Sequence, residues 1–244
     1  MNKRSKLAIS NAPACIADEM NKDYNNMNSI YHYFNGISKS EYSKHHISMN
    51  NGIICNAVFK SDTINKFLRK SKITLVDIGA GCCDLEKKLV DVLNPNQDIL
   101  IIAIDRSSNM LRNRKMIPER FPFNIRFIVA EATSLGLRDN CSEITFVINV
   151  LPYIKNIKLF SNELYRITRN KGLIVIVNPV KDKFNFWERY FNDIKIHFHE
   201  NIENFFVSNK FQVIENLPIN LNPVQDVEII KVPIAKLLVV KAKK

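Results

Sequence analysis

The sequence predicts an α/β protein: a three-layer α/β/α sandwich around a seven-stranded, mainly parallel sheet, with a helical cap at the N-terminus. Three observations predict it. From residue 72 onward short β-branched runs alternate with helix-period segments, the pattern of strands joined by covering helices. Those runs are apolar on both faces, as strands are when helices cover each side. A chain of 244 residues with 46% hydrophobic content can bury a substantial core as one domain or one domain plus an appendage.

Residues 1–71 form the N-terminal zone. It is polar and Asn-rich to about residue 30, then aromatic (SIYHYFNGISKSEY), then helical in pattern from Gly52 to Lys70, with Ile53, Ile54, Ala57, Val58, Ile64, Phe67 and Leu68 on the apolar side. This zone reads as a helical cap, leaving 72–244 as the main domain. Strands are expected at 73–77, 99–105, 125–130, 144–150, 173–177, 211–215 and 234–240. Between them, Leu85, Leu89, Val90 and Leu93 recur at helical spacing, as do Leu159, Phe160, Leu164 and Ile167, and Phe184, Trp187, Phe191 and Ile194. Ser107 and Ser108 can cap the helix after the second strand. Lys171 and Gly172 read as the stop of the helix after the fourth, with a cation in the last turn and a glycine beyond.

No apolar run approaches the roughly 18 residues that span a bilayer. The start MNKRSKLAISNAPAC resembles a secretion leader, but Asn11 and Pro13 interrupt an apolar stretch that is already too short. Five cysteines, Cys15, Cys55, Cys82, Cys83 and Cys141, include no CxxC pair, which argues against a disulfide framework or thiolate zinc site and for a reducing, cytoplasmic setting. The formal charge of +11 suits an anionic partner, yet Lys, Asn and Ile are abundant throughout, as an AT-rich genome would produce.

The chemistry concentrates in VDIGAGCCDL, residues 76–85. A dinucleotide-binding turn brings a pyrophosphate against a helix N-terminus through three glycines. Counting from Gly79 and Gly81, the third position holds Asp84, whose carboxylate repels a pyrophosphate; NAD and FAD are disfavoured, and no GK[ST] makes a P-loop. S-adenosylmethionine removes the conflict, because it carries an adenosine, no phosphate, an ammonium and a sulfonium. Asp77, just ahead of the turn, then becomes favourable. Asp105 closes the second strand 24 residues after Gly81 (81 to 105), near the interval at which an acid accepts ribose hydroxyls.

From about residue 72 to 178 the chain resembles the class I, Rossmann-like, S-adenosylmethionine-dependent methyltransferases. VDIGAGCCDL resembles their glycine-rich loop, IAIDRSSNML their ribose segment, FIVAEATSL their adenine segment, SEITFVINVLPYI their fourth strand and turn, and ELYRITRNKGLIVI their approach to the fifth strand. The resemblance implies that Asp77, Gly79 and Gly81, with Ala80 between the glycines, hold the methionine end and that Asp105 holds the ribose. Arg106 and Met110 would line the adenine, Glu131 accept from its amino group, and the Ala132 backbone donate to its ring. Asn149 and Leu151 would lie beside the transferable methyl. Three positions depart from the family pattern: Cys83 stands where many relatives have a third glycine and adds a side chain close to the cofactor, Pro152 replaces a polar residue, and Glu143 replaces an Asp.

Methyl transfer needs positioning more than a conspicuous catalytic group. An amine acceptor needs a route for its proton, and the candidates are Tyr31, His32, Tyr33, Tyr42, His45, His46 and Tyr153, with Tyr33 and Tyr153 kept as catalytic candidates. Singly, each also reads as an ordinary structural aromatic or exposed His. Residues 31–46 lie at the right distance before the first strand to fold over the cofactor as a lid. His197 and His199 lack a further clustered ligand, so no metal is expected. The basic residues Arg106, Arg112, Arg114, Lys115, Arg120 and Arg126, with Lys66, Arg69, Lys70 and Lys72 upstream, read as a solvated face or an RNA-facing surface. The expected acceptor is a small molecule or peptide, with RNA or protein as the alternative and a non-catalytic scaffold as the third reading.

Overall fold

The computed structural model describes residues 47–112, 117, 121–180, 202–208, 210–221 and 232–244. Two helices open it, α1 (Ile47–Val58) and α2 (Asp62–Leu68). The sequence pattern reads as one helix beginning at Gly52; the observed first helix starts five residues earlier and the two are separated at Ser61. Ser61 adopts an extended conformation and its Oγ accepts the Ile64 N–H at 3.2 Å, satisfying a donor that the new helix start would otherwise leave open.

The remaining elements are β1 (Lys72–Ile78), α3 (Asp84–Val92), β2 (Asp98–Asp105), α4 (Ser108–Arg112), β3 (Asn124–Val129), β4 (Ser142–Ile148), a 3₁₀ turn (Leu151–Tyr153), α5 (Ile157–Ile167), β5 (Thr168–Pro179), α6 (Ile202–Ser208), β6 (Phe211–Leu221) and β7 (Val232–Ala242). They form one seven-stranded sheet of order β3-β2-β1-β4-β5-β7-β6. β1 to β5 run parallel, while β7 lies antiparallel between β5 and β6. All seven expected strands are present. The expected helix over 184–194 and the residues Trp187, His197 and His199 lie outside the described residues.

One expectation is corrected. Lys171 and Gly172 do not stop the helix: α5 ends at Ile167, with Thr168 N–H still bonded to Leu164 O, and the chain passes directly into β5. Lys171 takes φ +61° inside that strand. Gly172 is required by crowding, because a Cβ there would meet Thr168 Cγ2 at 2.7 Å, Arg169 O at 2.9 Å and Glu143 O at 3.1 Å. Ser107 does cap α4, its Oγ accepting Met110 N–H at 3.2 Å, and Ser108 becomes the first helical residue.

Alternate strand residues feed two cores. On one face Leu75, Phe146, Val175, Leu237 and Val239 pack with Ile54, Val58, Ile64 and Leu68 of the first two helices and Leu85 and Leu89 of α3. On the other face Val76, Val147, Ile174, Ile176 and Leu238 pack with Phe160, Leu164 and Ile167 of α5 and Phe206 of α6. Each such large side chain, fully buried, contributes roughly 1.5–3 kcal/mol. Phe206 and Phe211, from the aromatic run after strand five, meet edge to face at 5.2 Å between ring centroids inside this second core.

Polar ties fix the connections. Arg166 on α5 bonds to Glu163, Asp139 and the carbonyl of Leu137, pinning the helix-free segment between β3 and β4. Glu143 at the start of β4 accepts Thr74 N–H at 2.7 Å and pairs with Arg169, so this departure from the family pattern acts as a tie at the amino-terminal end of the sheet. Among the described residues no helix is long and apolar enough to cross a membrane.

Candidate functional site

β1 has β2 on one side and β4 on the other, so chain crossovers leave it in opposite directions and a crevice opens beyond its carboxyl end. The glycine turn occupies this position. Gly79 N–H and Ala80 N–H both donate to Ile104 O, at 2.7 and 2.9 Å, which folds the turn back over the end of β2. Gly79 has φ +76°, and a Cβ on it would lie 2.3 Å from Val150 Cγ2 beyond β4. Only glycine meets both constraints.

Asp105 organises the same end. Its Oδ2 accepts Gly81 N–H at 2.9 Å and its Oδ1 accepts Ser107 N–H at 2.7 Å, so the carboxylate is held before any ligand arrives. Burial pushes its pKa up, and the Ser107, Gly81 and Arg106 main-chain donors oppose the rise. The two segments that the sequence assigns to one ligand are thus tied directly together.

Cys83 behaves differently from the expectation. Its side chain is fully buried against Ala80, Ala103 and Leu111 and so turns away from the open side of the turn. It still adopts the left-handed conformation that a glycine would take, with φ +67°, as the residue before α3. Burial, then the nearby Glu86 and Asp77 carboxyls, pushes its thiol pKa up. Cys83 is therefore an unreactive packing residue. Asp84 begins α3, where a carboxylate suits the helix N-terminus and opposes a phosphate.

Asp77 is almost wholly buried, and burial followed by the Glu86 carboxyl holds its pKa well above the ordinary value. Glu86 is fully buried, with its pKa raised to about 7, first by burial. The sequence reading missed Glu86. Its signal was positional: it sits between Leu85 and Leu89 on the buried stripe of α3, yet a Glu in an amphipathic helix ordinarily reads as solvated.

Of the residues expected to frame an adenine, Arg106 Nε and Glu131 Oε1 form an ion pair at 2.5 Å, joining the ends of β2 and β3. Met110 is buried in α4 and Ala132 is half-buried beside the second core. Asn149 takes φ +57° just past β4, its N–H bonded to Val177 O at 3.0 Å. Leu151 is fully buried, main chain and side chain alike; Pro152 is buried beside it and Tyr153 is half-buried. Tyr31, His32, Tyr33, Tyr42, His45 and His46, and with them the expected lid, lie outside the described residues, as do Arg114, Lys115 and Arg120. Among the described residues no group of three or more His, Cys, Asp or Glu is arranged to hold a metal ion. A groove of about 430 Å³ lined by Thr74, Leu100, Arg126, Arg138 and Arg169 lies at the opposite, amino-terminal end of the sheet and is separate from this site.

Residues 76–176 match the family described as methyltransferase domain. The chain is 32% identical over 137 residues to an uncharacterized protein of Methanocaldococcus jannaschii, covering 56% of this chain and 53% of that one. It is 23% identical over 132 residues to a ubiquinone/menaquinone biosynthesis C-methyltransferase of Hahella chejuensis, covering 52% and 53%. The chain thus spans about half the length of the curated relatives it matches. Among solved structures, a SAM dependent methyltransferase from Aquifex aeolicus superposes with a TM-score of 0.62 at 13% identity, over 84% of this chain and 100% of that chain, a likeness of fold.

Proposed function

We propose that this chain, whose residues 76–176 match the methyltransferase domain family, is a class I methyltransferase that transfers a methyl group from S-adenosylmethionine to a small-molecule or peptide acceptor. The observation that carries the reading is the Asp105 carboxylate locked onto the Gly81 N–H beside a turn backed by a second buried acid, Asp77. Such a site offers carboxylates where a ribose and an ammonium need acceptors, and sets the Asp84 and Asp105 carboxylates against a phosphate.

The cofactor supplies an activated methyl on a positively charged sulfur. The protein's share is binding and orientation. Asp105 would accept the ribose hydroxyls, Asp77 and the turn at Gly79, Ala80 and Gly81 would hold the methionine end, and Glu131, Ala132, Arg106 and Met110 would frame the adenine. The ion pair with Arg106 engages Glu131 Oε1, and the carboxylate keeps further lone pairs for an adenine amino group. Asn149 and Leu151 would border the acceptor side, with Tyr153, and Tyr33 from the N-terminal cap, as the groups available to an acceptor proton. Residues 1–71 would act as a cap whose 31–46 segment closes the site. The match to a quinone-pathway C-methyltransferase supports a small acceptor.

Calorimetric titration with S-adenosylmethionine tests the reading: micromolar binding by the whole chain and its loss in Asp105→Ala are expected, and no binding by the whole chain overturns it. Labelled-methyl transfer onto candidate acceptor pools then identifies the acceptor. A second reading, an RNA acceptor, draws on the formal net charge of +11; it requires affinity for bulk RNA that falls steeply with salt.

A further inference from the structure

Beneath the glycine turn the described residues collect acids without a buried cation. Asp77 comes from β1 and Glu86 from the first turn of α3, and both are buried. No donor from another residue reaches either oxygen of Glu86. Beside it lie its own main-chain N–H and the Asp77 carboxyl, and a hydrogen bond between the two carboxyls requires a proton on one of them. Asp84 and Asp105 add negative charge from α3 and the end of β2. Facing the pair from α1 is the Cys55 thiol, and from the turn the Cys83 thiol, both buried and both pushed toward the neutral form. Lys88 also acts on Cys55, but it is partly exposed and paired with Asp91 on the outer side of α3.

Two carboxylates in contact inside a protein cannot both stay ionised without a cation. In the ligand-free protein a proton must fill that role. Among the described residues the arrangement has no buried cation of its own, and a cationic ligand entering above the turn would supply one.

We infer that Glu86 is a positioning residue for the cofactor: with Asp77 it encloses one proton under the glycine turn, and the arriving ammonium-bearing end of S-adenosylmethionine replaces that proton as the neutralising charge. The inference rests on the function proposed above. The exchange balances: one carboxyl proton leaves to solvent, one carboxylate forms in the pair, and the ligand's fixed positive charge offsets it. No covalent bond of the ligand changes. Cofactor affinity thereby rises with pH through the range where the pair loses its proton, and Glu86 acts through Asp77 and the turn without touching the transferred methyl.

The experiment is calorimetric titration of the whole chain with S-adenosylmethionine at about pH 6.5, in phosphate and in imidazole, whose ionisation enthalpies differ. The expected result is a buffer-dependent heat corresponding to release of a large fraction of one proton. Glu86→Gln, which keeps the shape and supplies an amide donor to Asp77, should cut that release by at least about half and flatten the pH dependence of the dissociation constant between about pH 6 and 8. Binding by the wild type with heats independent of buffer overturns the role of Glu86 and leaves the cofactor reading standing. Equal proton release by wild type and Glu86→Gln does the same. No binding by the wild type overturns both. The wild-type measurement decides even if the variant folds poorly.

Discussion

Val150 Cγ2 occupies the space that a side chain on Gly79 would need, 2.3 Å from where its Cβ would stand. The first residue past β4 but one thus braces the turn past β1, and the two parallel strands, hydrogen-bonded along their length, are also locked by shape at their carboxyl ends. Gly79→Ala should destabilise the fold by about 2–4 kcal/mol, combining overpacking with a strained left-handed backbone. Adding Val150→Ala should recover part of this loss, because the clash disappears while the strained φ remains. Denaturant unfolding of the single and double variants measures both; additive losses would mean that the two residues do not touch.

Asp105 holds the turn and the start of α4 at once, through Gly81 N–H and Ser107 N–H. Asp105→Ala leaves two donors without their acceptor and should cost about 1–3 kcal/mol of stability and at least about tenfold in cofactor affinity. Asp105→Asn keeps one acceptor oxygen and should fall between. Unchanged affinity in the Ala variant would remove Asp105 from the ribose role.

Glu86 makes stability depend on pH in an unusual direction. Its folded pKa, about 7, lies above the ordinary value of 4.5, so between those values the folded chain binds more protons than the unfolded one. The favourable contribution is complete below about pH 4.5 and is lost as pH rises through about 7. Glu86→Gln removes this loss and should be more stable than wild type at pH 8 by an amount on the order of 2–3 kcal/mol, with the difference narrowing toward pH 5. Thermal melts of both proteins across that range supply the comparison; parallel curves would show that Glu86 titrates normally.

The Arg166 tie behaves in the opposite sense. Arg166 is about a third exposed (33%) and its hydrogen bond to Glu163 lowers the Glu163 pKa. That contribution is present above the usual carboxylate pKa and fades as pH falls through the lowered one. Because solvent screens the pair, Arg166→Ala should cost only about 1 kcal/mol, with the cost shrinking in high salt. Its clearest effect should be faster hydrogen exchange over residues 135–140, which Arg166 holds through Leu137 O and Asp139.

Much of the fold was legible because strands such as Ile99–Ile104 and Leu173–Val177 are buried on both faces and need an unbroken apolar run. Their ends were less so: β6 continues past the expected end at 215 to Leu221 through Asn216, Pro218 and Asn220, residues uncommon in strands that here pair with β7 across two register shifts. At the candidate site the proximity of Asp105 to the glycine turn followed from spacing and strand order. Glu86 was illegible because a charged letter in an amphipathic helix carries no mark of burial. Gly172 was misread for a related reason: the atoms that forbid a side chain there belong to Thr168, Arg169 and the distant Glu143. Nothing local announces them.

The position of β7, the last strand in chain order but the second from one border of the sheet, bears on how the molecule is made. A nascent chain that has emerged through β5 already carries Asp77, Glu86 and Asp105, while β5 presents a bare row of main-chain donors and acceptors until β7 slots in beside it. β6 emerges earlier and, among the described residues, has no neighbour in the sheet except β7. Assembly therefore closes late and from outside inward, and the interval before closure is when the growing chain is most exposed to sticking to its neighbours.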